Sequence, residues 1–157
     1  MSLTVLILSL SACGGDDDDG SAGAGNDGGA LSAESYFERF SEIATAAQGN
    51  VKALSDELSA EDSLDATADI FDEAADDADA LNPPAAAKNT HGPFVDATHS
   101  LSDAFRDLAG ASGSDGEASA GDDLDTALAI WSSRCLAVVA VGEALDVAVD
   151  VDCSIGP

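Results

Sequence analysis

LSAESYFERFSEIATAAQGNVKALSDEL, residues 31–58, is the stretch that decides the fold. Its apolar side chains recur in steps of three or four residues, which is the spacing of one face of an α-helix. The stripe comprises Tyr36, Phe40, Ile43, Ala47, Val51, Leu54 and Leu58. Ser32 precedes the stripe as a candidate N-cap residue, and Gly49-Asn50 leaves its phase unchanged. We therefore predict one long amphipathic helix.

The same periodicity recurs in two segments downstream. After a turn predicted at residues 59–63, with Ser63 as N-cap, the second stripe is Leu64, Thr67, Phe71, Ala74, Ala78 and Leu81. It ends at Asn82-Pro83-Pro84, because a residue that precedes proline avoids helical dihedral angles. Pro84 can open the third helix, whose stripe is Ala87, His91, Phe94, Thr98, Leu101, Phe105 and Leu108. Gly92-Pro93 inside this run predicts a kink or a break.

A fourth helix follows a segment rich in glycine and serine. Residues 110–121 have the composition of a loop, and Asp122 or Asp123 then caps the helix. Its stripe is Leu124, Leu128, Trp131, Cys135, Val138, Gly142 and Leu145. Because residues 136–141 are nearly all apolar, we expect this helix to be the most buried of the four. Residues 146–157 form a tail that we expect to extend in part.

The order of these segments predicts the fold class. Four amphipathic helices with mostly short connections, and no β-hairpin signal, are typical of an all-α, up-down-up-down four-helix bundle. The aromatic residues Tyr36 and Trp131 lie on the inward stripes, so we expect them in the core rather than on a ligand. The bundle domain is predicted to span residues 31–157.

The charge of the chain restricts its partners. It carries 31 acidic and 5 basic residues, for a formal net charge of −26. Such a surface repels phosphate backbones, which excludes nucleic acid, and it also repels anionic lipid headgroups. Attachment to a membrane would therefore need a covalent anchor. The remaining candidate partners are a basic envelope protein, a neutral glycan or a cation, and the charge could also serve solubility alone.

The amino terminus carries a targeting signal. Residues 3–10 form an apolar run that is shorter than the about 20 residues needed to span a bilayer, and it matches the hydrophobic region of a signal peptide. Leu10-Ser11-Ala12-Cys13 follows, and it resembles the lipobox of bacterial lipoproteins. No Lys or Arg precedes the apolar run, which departs from the usual positive region and is consistent with a translation start upstream of Met1.

The lipobox resemblance implies a location outside the cytoplasm. In that family the chain is cleaved before the cysteine, so residues 1–12 would be the signal peptide and Cys13 would carry a diacylglycerol that anchors the protein to the cell membrane. Residues 13–30 would then form a lipidated, flexible, acidic linker, since their Gly, Ser and Asp content cannot build a core. Asp16 to Asp19 are adjacent, unlike the spaced ligands of a calcium loop.

Two cysteines remain besides Cys13. Outside the cytoplasm Cys135 and Cys153 can pair, which would tie the tail to the bundle and contribute about 3 kcal/mol. The alternative is a reactive or metal-bound thiol. That alternative is disfavoured because the sequence has no C-x-x-C motif and no histidine close to either cysteine.

The candidate ligand residues lie on the third helix. His91, His99, Asp96 and Asp103 could form a ligand or metal site. His91 and His99 are eight residues apart, however, so they point about 80° away from each other on a regular helix. The structural alternative is that His91 hydrogen-bonds a backbone carbonyl freed by Pro93. No di-iron, catalytic or nucleotide-binding motif occurs.

These observations predict a membrane-anchored, extracytoplasmic lipoprotein. Its helical domain would be a non-catalytic binding or interaction module of the cell envelope, without a cofactor. The alternative is a carrier of a small ligand or a metal ion that uses the bundle interior near His91.

Overall fold

The computed structural model describes residues 29–57 and 60–154. Helix α1 spans Ala33–Glu57, α2 spans Ala60–Asp79, α3 spans Lys88–Ala111 and α4 spans Glu117–Ala144. Each helix packs against the next one along the chain, and no strand occurs within the described ranges. The predicted all-α four-helix bundle is therefore confirmed. The predicted signal peptide, Cys13, nearly all of the predicted linker, Leu58 and residues 155–157 lie outside the described residues.

The predicted start of α1 is confirmed, whereas that of α2 is wrong. The Ser32 hydroxyl accepts a hydrogen bond from the Ser35 backbone N–H at 3.2 Å, and α1 continues through Gly49-Asn50. Helix α2 begins at Ala60, so residues 60–63 belong to the helix and Ser63 is not its cap. An acidic residue in a first turn favours a helix, and Asp62 provides one.

Helix α3 differs from its prediction in two ways. It begins at Lys88 rather than Pro84, because the Ala87 N–H donates to the Pro84 carbonyl at 2.9 Å and closes a separate turn first. It also runs unbroken through Pro93. Because Pro93 is only the sixth helical residue, its missing N–H removes one hydrogen bond near the helix start.

The loop predicted at residues 110–121 is confined to residues 112–116. The chain leaves α3 at Ser112, whose ψ is 128°. Gly113 then adopts a φ of +71° in a turn closed by the hydrogen bond from the Ser114 N–H to the Ala111 carbonyl, at 2.9 Å. The Gly113 backbone N–H donates to the Glu117 carboxylate at 2.9 Å, and this bond ties the loop to the first residue of α4. Asp122 and Asp123 therefore lie inside α4 and do not cap it. The composition suggested a longer loop. Residues 117–121 are helical instead, and burial of the Ala120 side chain favours this helical turn.

The core is a layer of aromatic side chains, and the predicted stripes face it. Phe40 of α1 meets Phe94 of α3 with ring centroids 5.0 Å apart. Trp131 of α4 lies 6.2 Å from both Phe71 and Phe94 and is 3% exposed, as its position on the stripe predicts. Edge-to-face pairs of this kind add stability beyond the area they bury. Phe37 is also fully buried, although it lies off the predicted stripe.

The groove between α1 and α4 is filled by the C-terminal segment (residues 146–154), and the two helices scarcely contact each other. The segment is extended, and Val147, Val149 and Val151 pack against the core. Gln48 of α1 donates a hydrogen bond to the Asp152 carbonyl. The segment is therefore held from the α1 side of the groove as well as from α4.

Helix α4 is not the most buried helix, which corrects our expectation. Leu136 is 56% exposed and Ile130 is 48% exposed. Only one side of α4 meets α3 and the C-terminal segment, so the opposite side faces solvent. Among the described residues, α4 is also the one helix whose length and composition would suffice to cross a membrane.

Candidate functional site

Cys135 and Cys153 lie at disulfide distance. Their Cα atoms are 5.6 Å apart, and 18 positions separate them in sequence. Both are buried, at 0% and 6% exposure. The Ser132 hydroxyl donates to the Cys153 carbonyl at 2.7 Å. As predicted, this pair ties the C-terminal segment to the bundle.

His91 forms a hydrogen bond across the core with Tyr36 of α1. The Tyr36 hydroxyl lies 3.0 Å from His91 Nδ1, and both side chains are buried. Burial raises the pKa of Tyr36 to about 12. Burial also lowers the pKa of His91, although the charge of Asp79 acts in the opposite direction. A neutral imidazole and a protonated hydroxyl suit this geometry, so the expected bond to a carbonyl freed by Pro93 is wrong.

His99 faces α2 instead of the bundle interior. Its Nδ1 lies 3.0 Å from an Asp72 oxygen and its Nε2 lies 3.9 Å from an Asp76 oxygen. Arg106 of the same helix lies 3.2 Å from Asp69 and from Asp72. The hydrogen bond to His99 and then that to Arg106 lower the pKa of Asp72. These pairs connect α2 to α3 on the surface.

The four candidate ligand residues of α3 therefore have separate surroundings. His91 contacts Tyr36 and His99 contacts Asp72, while Asp103 lies 3.7 Å from Arg106. The Asp96 carbonyl accepts a hydrogen bond from Ser100. Within the described part of the chain, no group of three or more His, Cys, Asp or Glu side chains could hold a metal ion.

The aromatic core encloses very little space. A cavity lined by residues that include Phe71, Phe94 and Trp131 measures about 10 Å³. This volume accommodates about one water molecule at most. The core near Trp131 therefore has no room for an organic ligand without repacking.

An open cleft lies between α1 and the C-terminal segment. Its polar lining comprises Glu38, Ser41, Glu42 and Thr45 of α1 and Asp150 of the segment. The Ser41 hydroxyl oxygen is shielded from solvent and has no hydrogen-bond partner among the described residues. Carboxylates beside hydroxyls suit a lysine- or arginine-bearing partner. We call this surface the acidic cleft.

Sequence reasoning missed the acidic cleft because the cleft requires the C-terminal segment to fold back along α1. One signal was present. Val147, Val149 and Val151 alternate with Ala148, Asp150 and Asp152, which is the period of an extended chain with one buried side. That alternation puts Asp150 on the outer side of the segment, where it lines the cleft.

No family model matches the chain, no curated protein matches it, and no solved structure matches it. The assignment of a functional site therefore rests on the residues of this chain.

Proposed function

We propose that the protein is an extracytoplasmic lipoprotein, anchored to the bacterial cell membrane through Cys13. Its four-helix domain acts there as a non-catalytic interaction module of the cell envelope. The acidic cleft is the surface through which it contacts a basic partner.

The observation that carries this proposal is the pairing of Cys135 with Cys153. Disulfides persist in oxidising compartments outside the cytoplasm, which agrees with the signal-like residues 1–12. The chain has three cysteines, so this pairing leaves Cys13 as the one thiol without a partner cysteine. Cys13 is also the cysteine at the end of the lipobox-like sequence, where a free thiol is required for lipid attachment.

The anchoring is tested by producing the full chain in a bacterium that processes lipoproteins. We expect the mature protein to begin at Cys13, to carry the mass of a diacylglycerol and to enter the detergent phase on Triton X-114 partitioning. The variant Cys13→Ser should carry no lipid mass and should not be cleaved before position 13. A wild-type protein that stays aqueous and has no lipid mass contradicts the proposal.

The interaction module is tested by titrating a lysine-rich peptide into the full chain at several salt concentrations. Binding should weaken steeply with salt, because exposed charges are screened. The variant Glu38→Gln/Asp150→Asn should bind more weakly than Asp122→Asn/Asp123→Asn, which removes the same charge far from the acidic cleft. Equal losses in the two variants would mean that the cleft has no specific role.

No observation favours the alternative, a carrier that uses the interior near His91. The Nδ1 atom of His91 already has the Tyr36 hydroxyl as its partner. A small-molecule or metal adduct that persists in high salt and raises the melting temperature would favour the carrier over the interaction module.

A further inference from the structure

The exposed side of α4 is unlike the rest of this acidic molecule. Between Thr126 and Gly142 the sequence contains no Asp or Glu, and Arg134 is its one basic residue. We call the exposed, mostly apolar side of this helix the outer face of α4. It comprises Ala129, Ile130, Ser133, Leu136 and Ala140.

The opposite side of α4 belongs to the core, so the helix cannot cross a membrane while the bundle is folded. Trp131, Cys135 and Val138 are buried there, and Cys135 is bonded to the C-terminal segment. Asp122, Asp123 and Asp125 lie in the first turns of the same helix. A charged end and a packed side are compatible with a helix that lies on a bilayer, but not with one that spans it.

The connection to Cys13 brings a bilayer within reach of this face. Phe37, near the start of α1, lies next to Gly142, near the end of α4, so the linker joins the bundle at the end where α4 finishes. The 17 residues between Cys13 and Leu31 would span about 20–25 Å root mean square for a glycine-rich chain. A tether of that length would hold the end of the bundle where α4 finishes close to the membrane.

The distribution of charge over the surface determines which side of the bundle can approach a lipid surface. Helix α2 carries a dense row of carboxylates, including Asp69, Glu73 and Asp77, and it is repelled by phosphate-bearing headgroups. Between Thr126 and Gly142 the outer face of α4 has no carboxylate and exposes two large apolar side chains, Ile130 and Leu136. The exposed Glu143 lies beyond it, in the last turn of the helix. A second copy of the chain is a less suitable occupant, because each copy has a net charge of −26.

We propose that the outer face of α4 docks on the surface of the phospholipid bilayer to which Cys13 is anchored. This proposal rests on the proposed anchoring. The face is small, so it binds weakly alone and requires the high local concentration that a tether provides. Docking would fix the orientation of the bundle relative to the membrane.

The test replaces cellular lipidation by a chemical tether. Failure of the docking proposal is then distinguishable from failure of the proposed lipid anchoring. The non-lipidated full chain is coupled through Cys13 to a maleimide lipid in phosphatidylcholine vesicles. Ala140 is replaced by the photocrosslinker p-benzoylphenylalanine in one sample. Asp77 of α2 is replaced by it in a control sample. Crosslinks to acyl chains are then counted by mass spectrometry.

We expect at least five times more lipid crosslinks from position 140 than from position 77, and none from position 140 when the protein is not tethered. Adding carboxylates through Ala129→Asp/Ser133→Asp should reduce the crosslinks at least fivefold. The control Asn50→Asp/Ala53→Asp, which adds two carboxylates on α1, should not, and urea unfolding should show that all variants remain folded. Equal crosslinking at positions 140 and 77, or crosslinks from position 140 to a second protein chain, would overturn the docking proposal.

Discussion

The α2–α3 interface and the α1–α4 groove are closed in different ways. At the α2–α3 interface two helices pack directly, and the buried Ser102 hydroxyl donates to the Ala68 carbonyl at 2.8 Å. An ion pair of Arg106 and a hydrogen bond of His99, both with Asp72 of α2, flank this contact. At the α1–α4 groove an extended segment lies between the helices and is covalently tied to one of them. The first interface is closed by direct packing that includes the stacked rings of Phe71 and Phe105, whereas the second is closed by a segment that a disulfide ties to α4.

Removal of the disulfide should have the largest effect on stability, and its effect on native-state mobility should lie in the groove. For Cys135→Ala/Cys153→Ala we expect the free energy of unfolding to fall by about 3 kcal/mol, because the unfolded chain regains the entropy of an open loop. Urea unfolding measures the loss, and heteronuclear ¹⁵N relaxation should show greater backbone mobility than in the wild type in residues 147–153 but not in α2 and α3. Cys13→Ala is the control and should change neither quantity. Unchanged mobility of residues 147–153 would contradict the difference between the two interfaces.

The fit of the C-terminal segment against α4 is tested at Gly142. A Cβ atom there would overlap the Val149 side chain and press on the Phe37 ring, so Gly142→Ala should destabilise by about 1–3 kcal/mol. Adding Val149→Ala should restore part of the loss, since it removes the overlapping group. Gly121→Ala in the same helix meets no neighbouring atoms and should stabilise by up to about 1 kcal/mol. Equal effects at the two glycines would mean that the segment does not occupy the groove.

The Tyr36–His91 pair connects α1 to α3 across the core, and it should make stability depend on pH. Because burial lowers the pKa of His91 below its ordinary 6.5, the folded protein binds fewer protons than the unfolded one in this range. Stability is therefore fully present above pH 6.5 and is lost as the pH falls through the lowered pKa. His91→Gln should flatten this dependence in urea titrations between pH 7 and 5.

The variant Tyr36→Phe distinguishes the contribution of the Tyr36–His91 hydrogen bond from that of His91 protonation. It leaves His91 Nδ1 without its partner and should cost about 1 kcal/mol at pH 8. His99→Gln is the matched control, because His99 is exposed and does not contact Tyr36. A steeper loss of stability below pH 6.5 in His91→Gln than in the wild type would contradict the assigned role.

The ion pairs of the α2–α3 interface should have the smallest effect. Asp72→Asn removes partners of His99 and Arg106, but these side chains are about 40% exposed, so we expect a loss of about 0.5 kcal/mol that disappears in 1 M salt. Since the pKa of Asp72 lies below its ordinary value of 3.8, its contribution is present above that pH and is lost as the pH falls through the lowered pKa. A loss above about 2 kcal/mol would mean that ion pairs, rather than packing, hold this interface.

The sequence predicted the features that follow from the local spacing of apolar residues. The stripes of Phe40, Phe94 and Trp131 meet in the core because a 3.6-residue repeat places them on one side of each helix. The Ser32 cap and the Cys135–Cys153 pair were also predictable, the first from the residue type and the second from the count of cysteines. Helix boundaries were less predictable where tertiary contacts decide them, as at Ala120.

The rest depends on where segments distant in sequence meet. The burial of α4 was overestimated, because the sequence of an apolar helix does not show whether other segments cover one side of it or all sides. His91 was expected to bond within its own helix, but its partner Tyr36 lies 55 residues away. The acidic cleft depends on the C-terminal segment returning along α1, which no local pattern specifies.

The most direct test of the packed C-terminal segment is a nuclear Overhauser measurement on the full chain with labelled valine methyl groups. We expect cross-peaks from the Val149 methyl protons to the Gly142 α-protons and to the Phe37 ring, since Val149 and Phe37 both lie against Gly142. Absence of these cross-peaks in a sample whose Phe40–Phe94 cross-peaks are present would contradict this packing, because the bundle would then be folded with the C-terminal segment outside the groove.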